Sequence, residues 1–134
     1  MKNITLGLIF ISLSTFSFGS NVSTPKKETK SKINSYIKGK SCLQARKTLM
    51  NNGWKPHSQN RDEEALDYQK AVMQKYPEIE SCSPTGYGEC TGRYKKGIQY
   101  LTLTYAADGG SSFESKECFA TDFNLSNKKP YTFY

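Results

Sequence analysis

The sequence predicts an α+β fold, with one or two N-terminal helices packed on a three-stranded antiparallel sheet and braced by disulfides. Three observations predict it. A helical pattern opens at Ser41 and closes at Gly53, the stretch from Ile98 to Tyr105 alternates as a strand does, and the cysteines at 42, 82, 90 and 118 form an even set.

The first twenty residues read as an export signal. Met1-Lys2-Asn3 is a short positive start, and Ile4 to Phe18 carries apolar and hydroxyl side chains without one charge. Ser17 and Gly19 satisfy the small-x-small rule, so cleavage is expected before Ser20. A spanning helix needs roughly 20 predominantly apolar residues, and this stretch is shorter and rich in Ser and Thr. No Cys follows the apolar run, which argues against a lipid anchor, and no later segment is apolar enough to span a bilayer. The organisation read from this is a signal peptide over 1–19, a basic flexible linker over 20–40, and a single small α+β domain over 41–134. The product is expected in the periplasm or outside the cell. About 115 residues remain, one domain by size, and a core that small leans on cross-links.

The net charge is +7. Lys26, Lys27, Lys30, Lys32, Lys38 and Lys40 against Glu28 give +5, whereas twelve Lys and Arg against eleven Asp and Glu give +1 from Ser41 onward. The basicity is thus expected to belong to an N-terminal tail and not to a folded face. Such a tail can hold an anionic polymer or membrane surface, or be a solvated linker. Order is expected to begin near Ile33 to Ile37, where Tyr36 and Ile37 can pack.

Ser41 followed by Gln44 is a capping box, in which each side chain satisfies a free backbone donor at a helix start. Cys42, Ala45 and Leu49 fall on one face, and Gly53 stands where a left-handed cap belongs, so Ser41 to Asn52 reads as a helix. Trp54 and Pro56 follow as a short extended piece over the core. Asp62-Glu63-Glu64 would favour the positive end of a second helix, and Ala65, Gln69, Val72 and Tyr76 recur at helical spacing until Pro77 stops it. Pro77 to Gly92 reads as a loop. A hairpin then pivots near Gly97, with Gln99, Leu101, Leu103 and Tyr105 on one face of its second strand. Asp108-Gly109-Gly110 makes a turn, and Phe113 to Phe123, with Cys118, gives a third strand. Tyr131 to Tyr134 would add an edge strand or cover apolar surface.

Four cysteines in an exported chain read as two disulfides with three possible pairings. Cys82 with Cys90 is favoured, because the seven residues between them include Pro84, Gly86 and Gly88 and can turn back. That leaves Cys42 with Cys118. A four-Cys zinc site would need close Cys pairs two to four residues apart, and no spacing here fits. No metal and no cofactor is expected.

Two stretches carry a resemblance. They are Ser41-Cys42-Leu43-Gln44-Ala45-Arg46 running to Gly53-Trp54-Lys55-Pro56, and Tyr76-Pro77-Glu78-Ile79-Glu80-Ser81-Cys82-Ser83-Pro84-Thr85-Gly86 running to Cys90. Together they resemble an uncharacterised family of small exported bacterial proteins with a helix ending in Gly-Trp-x-Pro and a Cys-Ser-Gly-Thr-Gly loop closed by a second Cys. The likeness covers residues 41 to about 104, and Pro84 stands where that family usually has Gly. It implies export and a loop disulfide, and no activity. Ala45, Leu49 and Gly53 also look like the start of a penicillin-binding-protein-and-kinase-associated domain.

Catalysis is poorly supplied. His57 is the one histidine, between Pro56 and Ser58 in an expected exposed loop, and a hydrolase triad would need a carboxylate and a nucleophile beside it. Paired cysteines leave no thiolate to attack. Glu78, Glu80 and Glu89 flank the loop at spacings that admit a glycosidase-like carboxylate pair. Thr85-Gly86-Tyr87-Gly88 echoes a potassium-channel filter without the flanking membrane helices a filter needs. The favoured site is the disulfide-closed loop itself, Thr85, Gly86, Tyr87, Gly88 and Glu89, presenting an aromatic at low entropic cost. The reading is a non-enzymatic binding protein of the bacterial envelope, met by another envelope protein as inhibitor, immunity factor or accessory. Inhibition of a basic lysozyme fits less well, since the chain offers no acidic face. The alternatives are a Lys-tail binder of anionic polymer or lipid, and a small envelope hydrolase. Nucleic acid is not an expected partner. In a eukaryotic setting, Asn21-Val22-Ser23 and Asn124-Leu125-Ser126 would be glycosylation acceptors.

Overall fold

The computed structural model describes residues 26–58, 64–83, 88–107 and 112–130. The expected export signal, Thr85, Gly86 and Tyr87 of the loop, and the final Tyr131 to Tyr134 lie outside the described residues.

Helices α1 (Lys30–Ile37) and α2 (Cys42–Asn51) come first, then a two-residue strand β1 (Lys55–Pro56) and helix α3 (Asp67–Lys75). Strands β2 (Ile79–Cys82), β3 (Cys90–Lys96), β4 (Gln99–Ala107) and β5 (Cys118–Ser126) follow. All pairings are antiparallel. The order is β1-β3-β4-β5, with β2 also on β3. β1 takes the Tyr94–Lys95 end of β3 and β2 takes its Cys90–Gly92 end. The class is α+β as the sequence implies, with five strands in place of three.

Three expectations need correcting. The stretch 20–40 is not a flexible linker throughout. Thr29 caps α1 by accepting from the Lys32 N–H, and Ile33, Tyr36 and Ile37 are buried. These three side chains recur at i, i+3 and i+4, one helical face, but the lysines around them mask it. Residues Pro77 to Gly92 are not all loop either. Ile79–Cys82 pairs with β3, and Ile79 is fully buried, so an apolar side chain facing the core offsets the polarity of Glu78, Glu80 and Ser81. The last strand begins at Cys118 and not Phe113. Phe113 sits in the preceding turn, buried against Tyr76 and Tyr105 at ring distances of 4.7 and 4.9 Å.

Helix α2 forms as its sequence dictates. Ser41 and Gln44 make both bonds of the capping box. At the other end Gly53, with φ +84°, donates to the Met50 carbonyl and Trp54 donates to Leu49. This paired closure needs a left-handed residue, which glycine adopts without a Cβ clash. It also turns Trp54 back onto the core, where it is 1 % exposed. Cys42, Ala45 and Leu49 bury against the sheet face formed by Tyr94, Leu101, Leu103 and Tyr105. Alternation along β4 is complete, with Gln99, Leu101, Leu103, Tyr105 and Ala107 inward.

Both disulfides pair as expected. Cys42–Cys118 ties α2 to β5 across 76 residues, and Cys82–Cys90 closes a separation of eight. In the loop-entropy model they are worth about 4.5 and about 2.6 kcal/mol. The longer bridge therefore does more to hold helix and sheet together.

Candidate functional site

One sheet face is the core, and the other carries polar side chains. Period-two alternation and register set what stands there. Lys55 lies opposite Lys95, Lys95 opposite Tyr100, and Tyr100 opposite Ser126. The next row runs from Arg93 to Thr102 to Asn124, and the His57 N–H extends it by donating to the Arg93 carbonyl at 2.9 Å. After β5 the chain returns over this face, so Lys128, Lys129 and Pro130 close one side of a groove of about 310 Å³ floored by Arg93 and Tyr100. A second groove of similar size adjoins it, between His57, Lys55 and Lys95.

The electrostatics of this face are one-sided. Arg93 Nε lies 2.6 Å from Glu80 Oε2, close enough for an ion pair though not aligned as a hydrogen bond, and Arg93 Nη1 is buried without a hydrogen-bond partner. Lys95 lies 5.3 Å over the Tyr100 ring, and the His57 ring is tilted against that ring with centroids 5.4 Å apart. Among the described residues Lys55, Lys95, Lys128 and Lys129 have no salt-bridge partner. Half-burial lowers the His57 pKa, Lys95 and Lys129 lower it further, and Glu80 opposes them. Like charges directly opposite on neighbouring strands are destabilising, yet Lys55 faces Lys95. The charge expected of a tail is thus also gathered on a folded face.

The residues singled out by sequence are scattered. Of the loop, Gly88 and Glu89 are described: Glu89 is exposed and its carbonyl accepts from the Ser83 N–H at 2.6 Å, which pins the loop's mouth beside the Cys82–Cys90 bridge. Lys26, Lys27, Lys30, Lys32 and Lys38 are exposed, while Lys40 is half-buried and donates to Thr48 Oγ1 at 3.3 Å. Lys32 lies 5.5 Å over the Tyr36 ring.

The three loop-flanking acids do not converge. Glu78 is fully buried on the helix side, ion-paired with Arg46, and its Oε1 accepts from the Tyr94 hydroxyl at 3.3 Å. The Tyr94 hydroxyl also bonds that of Tyr105. Burial, then Tyr105 and Glu78, hold the Tyr94 pKa well above its ordinary value, and burial raises that of Tyr105. Glu80 turns to the other face with Arg93; residues two apart normally share a face, and the irregular register between Ile79 and Ser81 lets Glu78 and Glu80 part. Glu89 is exposed. His57 is half-buried beside Tyr100, not in an open loop, because β1 pairs with β3 and carries it onto the sheet. Among the described residues no group of three or more His, Cys, Asp or Glu is placed to hold a metal ion, and no helix is long and apolar enough to cross a membrane.

Sequence reasoning missed the basic face. Its cations come from segments as far apart as Lys55 and Lys129, and only the sheet register unites them. The one local signal was Arg93, Lys95 and Lys129 alternating or clustering beside strand residues. Comparison with models of known protein families, with curated proteins and with solved structures returns no match.

Proposed function

We propose that this is an exported, non-enzymatic binding protein that meets an anionic partner through the open face of its sheet. The observation that carries the reading is Lys55 standing opposite Lys95. A locally unfavourable pair that no acid among the described residues relieves is what a binding face looks like without its ligand. Three further features support it. All four cysteines are consumed in disulfides, which fits an oxidising compartment. Glu78 and Glu80 are each engaged by an arginine on opposite faces of the sheet, a poor arrangement for a carboxylate pair. The apolar start of the chain and the likeness of residues 41–104 to exported bacterial proteins point to the envelope, where an inhibitor, immunity or accessory role is open to it.

The Lys26–Lys40 segment is the second reading, since five of its six lysines are exposed. Amide NMR mapping separates the two. The chain Ser20–Tyr134 is titrated with dextran sulfate and with uncharged dextran at low salt. Shifts at Arg93, Lys95, Thr102 and Asn124 with the sulfated polymer alone support the sheet face. Shifts confined to Lys26–Lys40, or none with either polymer, overturn it.

A further inference from the structure

We propose that the Arg93–Tyr100 groove is a seat for an acidic polysaccharide, a sugar chain bearing regularly spaced carboxylate or sulfate groups. This rests on the sheet face being the binding surface and adds the chemistry of its occupant.

Three properties of the groove choose that ligand. The first is charge placement. Arg93, Lys128 and Lys129 line the groove, and Lys95 lies 5.3 Å over the ring of Tyr100, which lines it too. A guanidinium presents its donors as a planar fork that matches a carboxylate or sulfate edge, while ammonium groups act as movable point charges beside it. The second is the neutral lining. Thr102, Asn124 and Ser126 lie on neighbouring strands and carry hydroxyl and amide groups that both donate and accept. That mixture suits sugar hydroxyls, which also do both; a phosphodiester backbone between bases would have little use for it. The third is shape. The groove is open and crosses three strands, β3, β4 and β5, a span of about 10 Å at the usual strand spacing, with Lys128 to Pro130 at its side. It admits a chain lying across it and does not enclose a small molecule.

Two other occupants fit less well. Single-stranded nucleic acid is normally held by several aromatic platforms, and among the described residues this groove has Tyr100 alone, with Lys95 over its ring and His57 at 5.4 Å. A lipid surface calls for apolar side chains to insert, but the exposed ones, such as Leu43, Met50 and Ile98, are not among those lining the groove.

The experiment measures affinity of Ser20–Tyr134 by calorimetry for a polygalacturonate hexamer, a heparin hexasaccharide, maltohexaose, a twelve-residue oligo-dT, and vesicles of anionic lipid. Binding of either acidic hexasaccharide, with none to maltohexaose and at least tenfold weaker binding to oligo-dT and vesicles, is the expected result. Lys128→Gln with Lys129→Gln, both exposed and outside the core, should loosen the acidic sugar about tenfold, the loss of charged hydrogen bonds. Arg93→Lys, which keeps a cation beside Glu80, should loosen it by a similar factor, and Lys32→Gln with Lys38→Gln should leave it unchanged. Oligo-dT or vesicles binding as tightly as the acidic sugars would overturn the ligand class while the sheet-face reading stands. Acidic sugars that bind but are indifferent to Lys128 and Lys129 and to Arg93 would overturn the seat. If dextran sulfate also fails to shift the face, both readings fall together.

Discussion

Glu28 and Gln99 hold each other by two reciprocal bonds across 71 residues. The Glu28 N–H donates to Gln99 Oε1 at 2.6 Å, and Gln99 Nε2 donates to the Glu28 carbonyl at 2.9 Å. Gln99 is buried at the start of β4, so the segment leading into α1 is pinned to the sheet by a side chain that mimics a strand partner. Glu28 adds a 2.6 Å ion pair to Lys96 and accepts from the Tyr36 hydroxyl at 3.3 Å.

Gln99→Ala removes both bonds and leaves the Glu28 backbone groups to find water. It should lower stability by about 1–2 kcal/mol, read as a fall in the urea midpoint, and amide exchange should quicken in α1 before the rest of the domain. A chain begun at Ser41 goes further, because it deletes Ile33, Tyr36 and Ile37 from the core. Each is worth about 1.5–3 kcal/mol when fully buried. Equal urea midpoints for the full and shortened chains would show that α1 is not docked.

How much of this was legible in the sequence depends on whether the signal was local. The Ser41–Gln44 box, the Gly53 cap and the Gln99–Tyr105 alternation each lie within a dozen residues, and each is found as read. Helix α1 was legible in part: Tyr36 and Ile37 signal order near Ile33 to Ile37, but the exposed Lys30, Ser31, Lys32, Asn34 and Ser35 also describe a linker. Strand β2 was hidden because Glu78 and Glu80 look solvated until Arg46 and Arg93 arrive from elsewhere in the chain. The basic face was illegible for the same reason: Lys55 and Lys95 become neighbours through strand pairing alone.

Arg46 and Glu78 give a prediction of larger size. Glu78 is wholly buried and Arg46 mostly so, with the Tyr76 ring 5.3 Å beneath the guanidinium. Arg46→Met should cost about 3–5 kcal/mol, since it strands a buried carboxylate. Arg46→Met combined with Glu78→Gln should recover a good part of that, because the second change removes the stranded charge. A double-mutant cycle from guanidinium melts decides it. Additive losses would mean that the two side chains do not interact.

Gly92 sits where β3 passes under Tyr105. A Cβ there would lie 2.8 Å from Tyr105 Cε2 and 3.4 Å from Ile79 Cδ1, so the ring must move to admit a methyl group. Gly92→Ala should therefore destabilise by about 1–3 kcal/mol, the usual range for overpacking, despite alanine's better backbone entropy. Gly92→Ala in a Tyr105→Leu background should lose much less. A neutral Gly92→Ala melt would show that the β3–Tyr105 contact is looser than the geometry has it.

His57 ties the binding face to pH. Its pKa lies below the ordinary 6.5 because half-burial disfavours the charged ring and Lys95, Lys129 and Arg93 repel a proton, with Glu80 alone opposing them. The Tyr100 ring packs beside it. Below pH 6.5 the unfolded chain takes up this proton before the folded one does. Stability should then fall as pH drops from 6.5 toward the depressed value, and be indifferent to His57 above about 7.5. An anion in the groove offsets the lysines and lets the ring charge more easily, so by reciprocity its binding should tighten as pH falls through the same window. The chain has one histidine, which makes its ring proton a clean NMR reporter. The free protein should titrate below 6.5, the titration should move upward in saturating acidic hexasaccharide, and His57→Gln should flatten both stability and affinity against pH. A ring that titrates at 6.5 or above without ligand would mean that the cations around it do not act together.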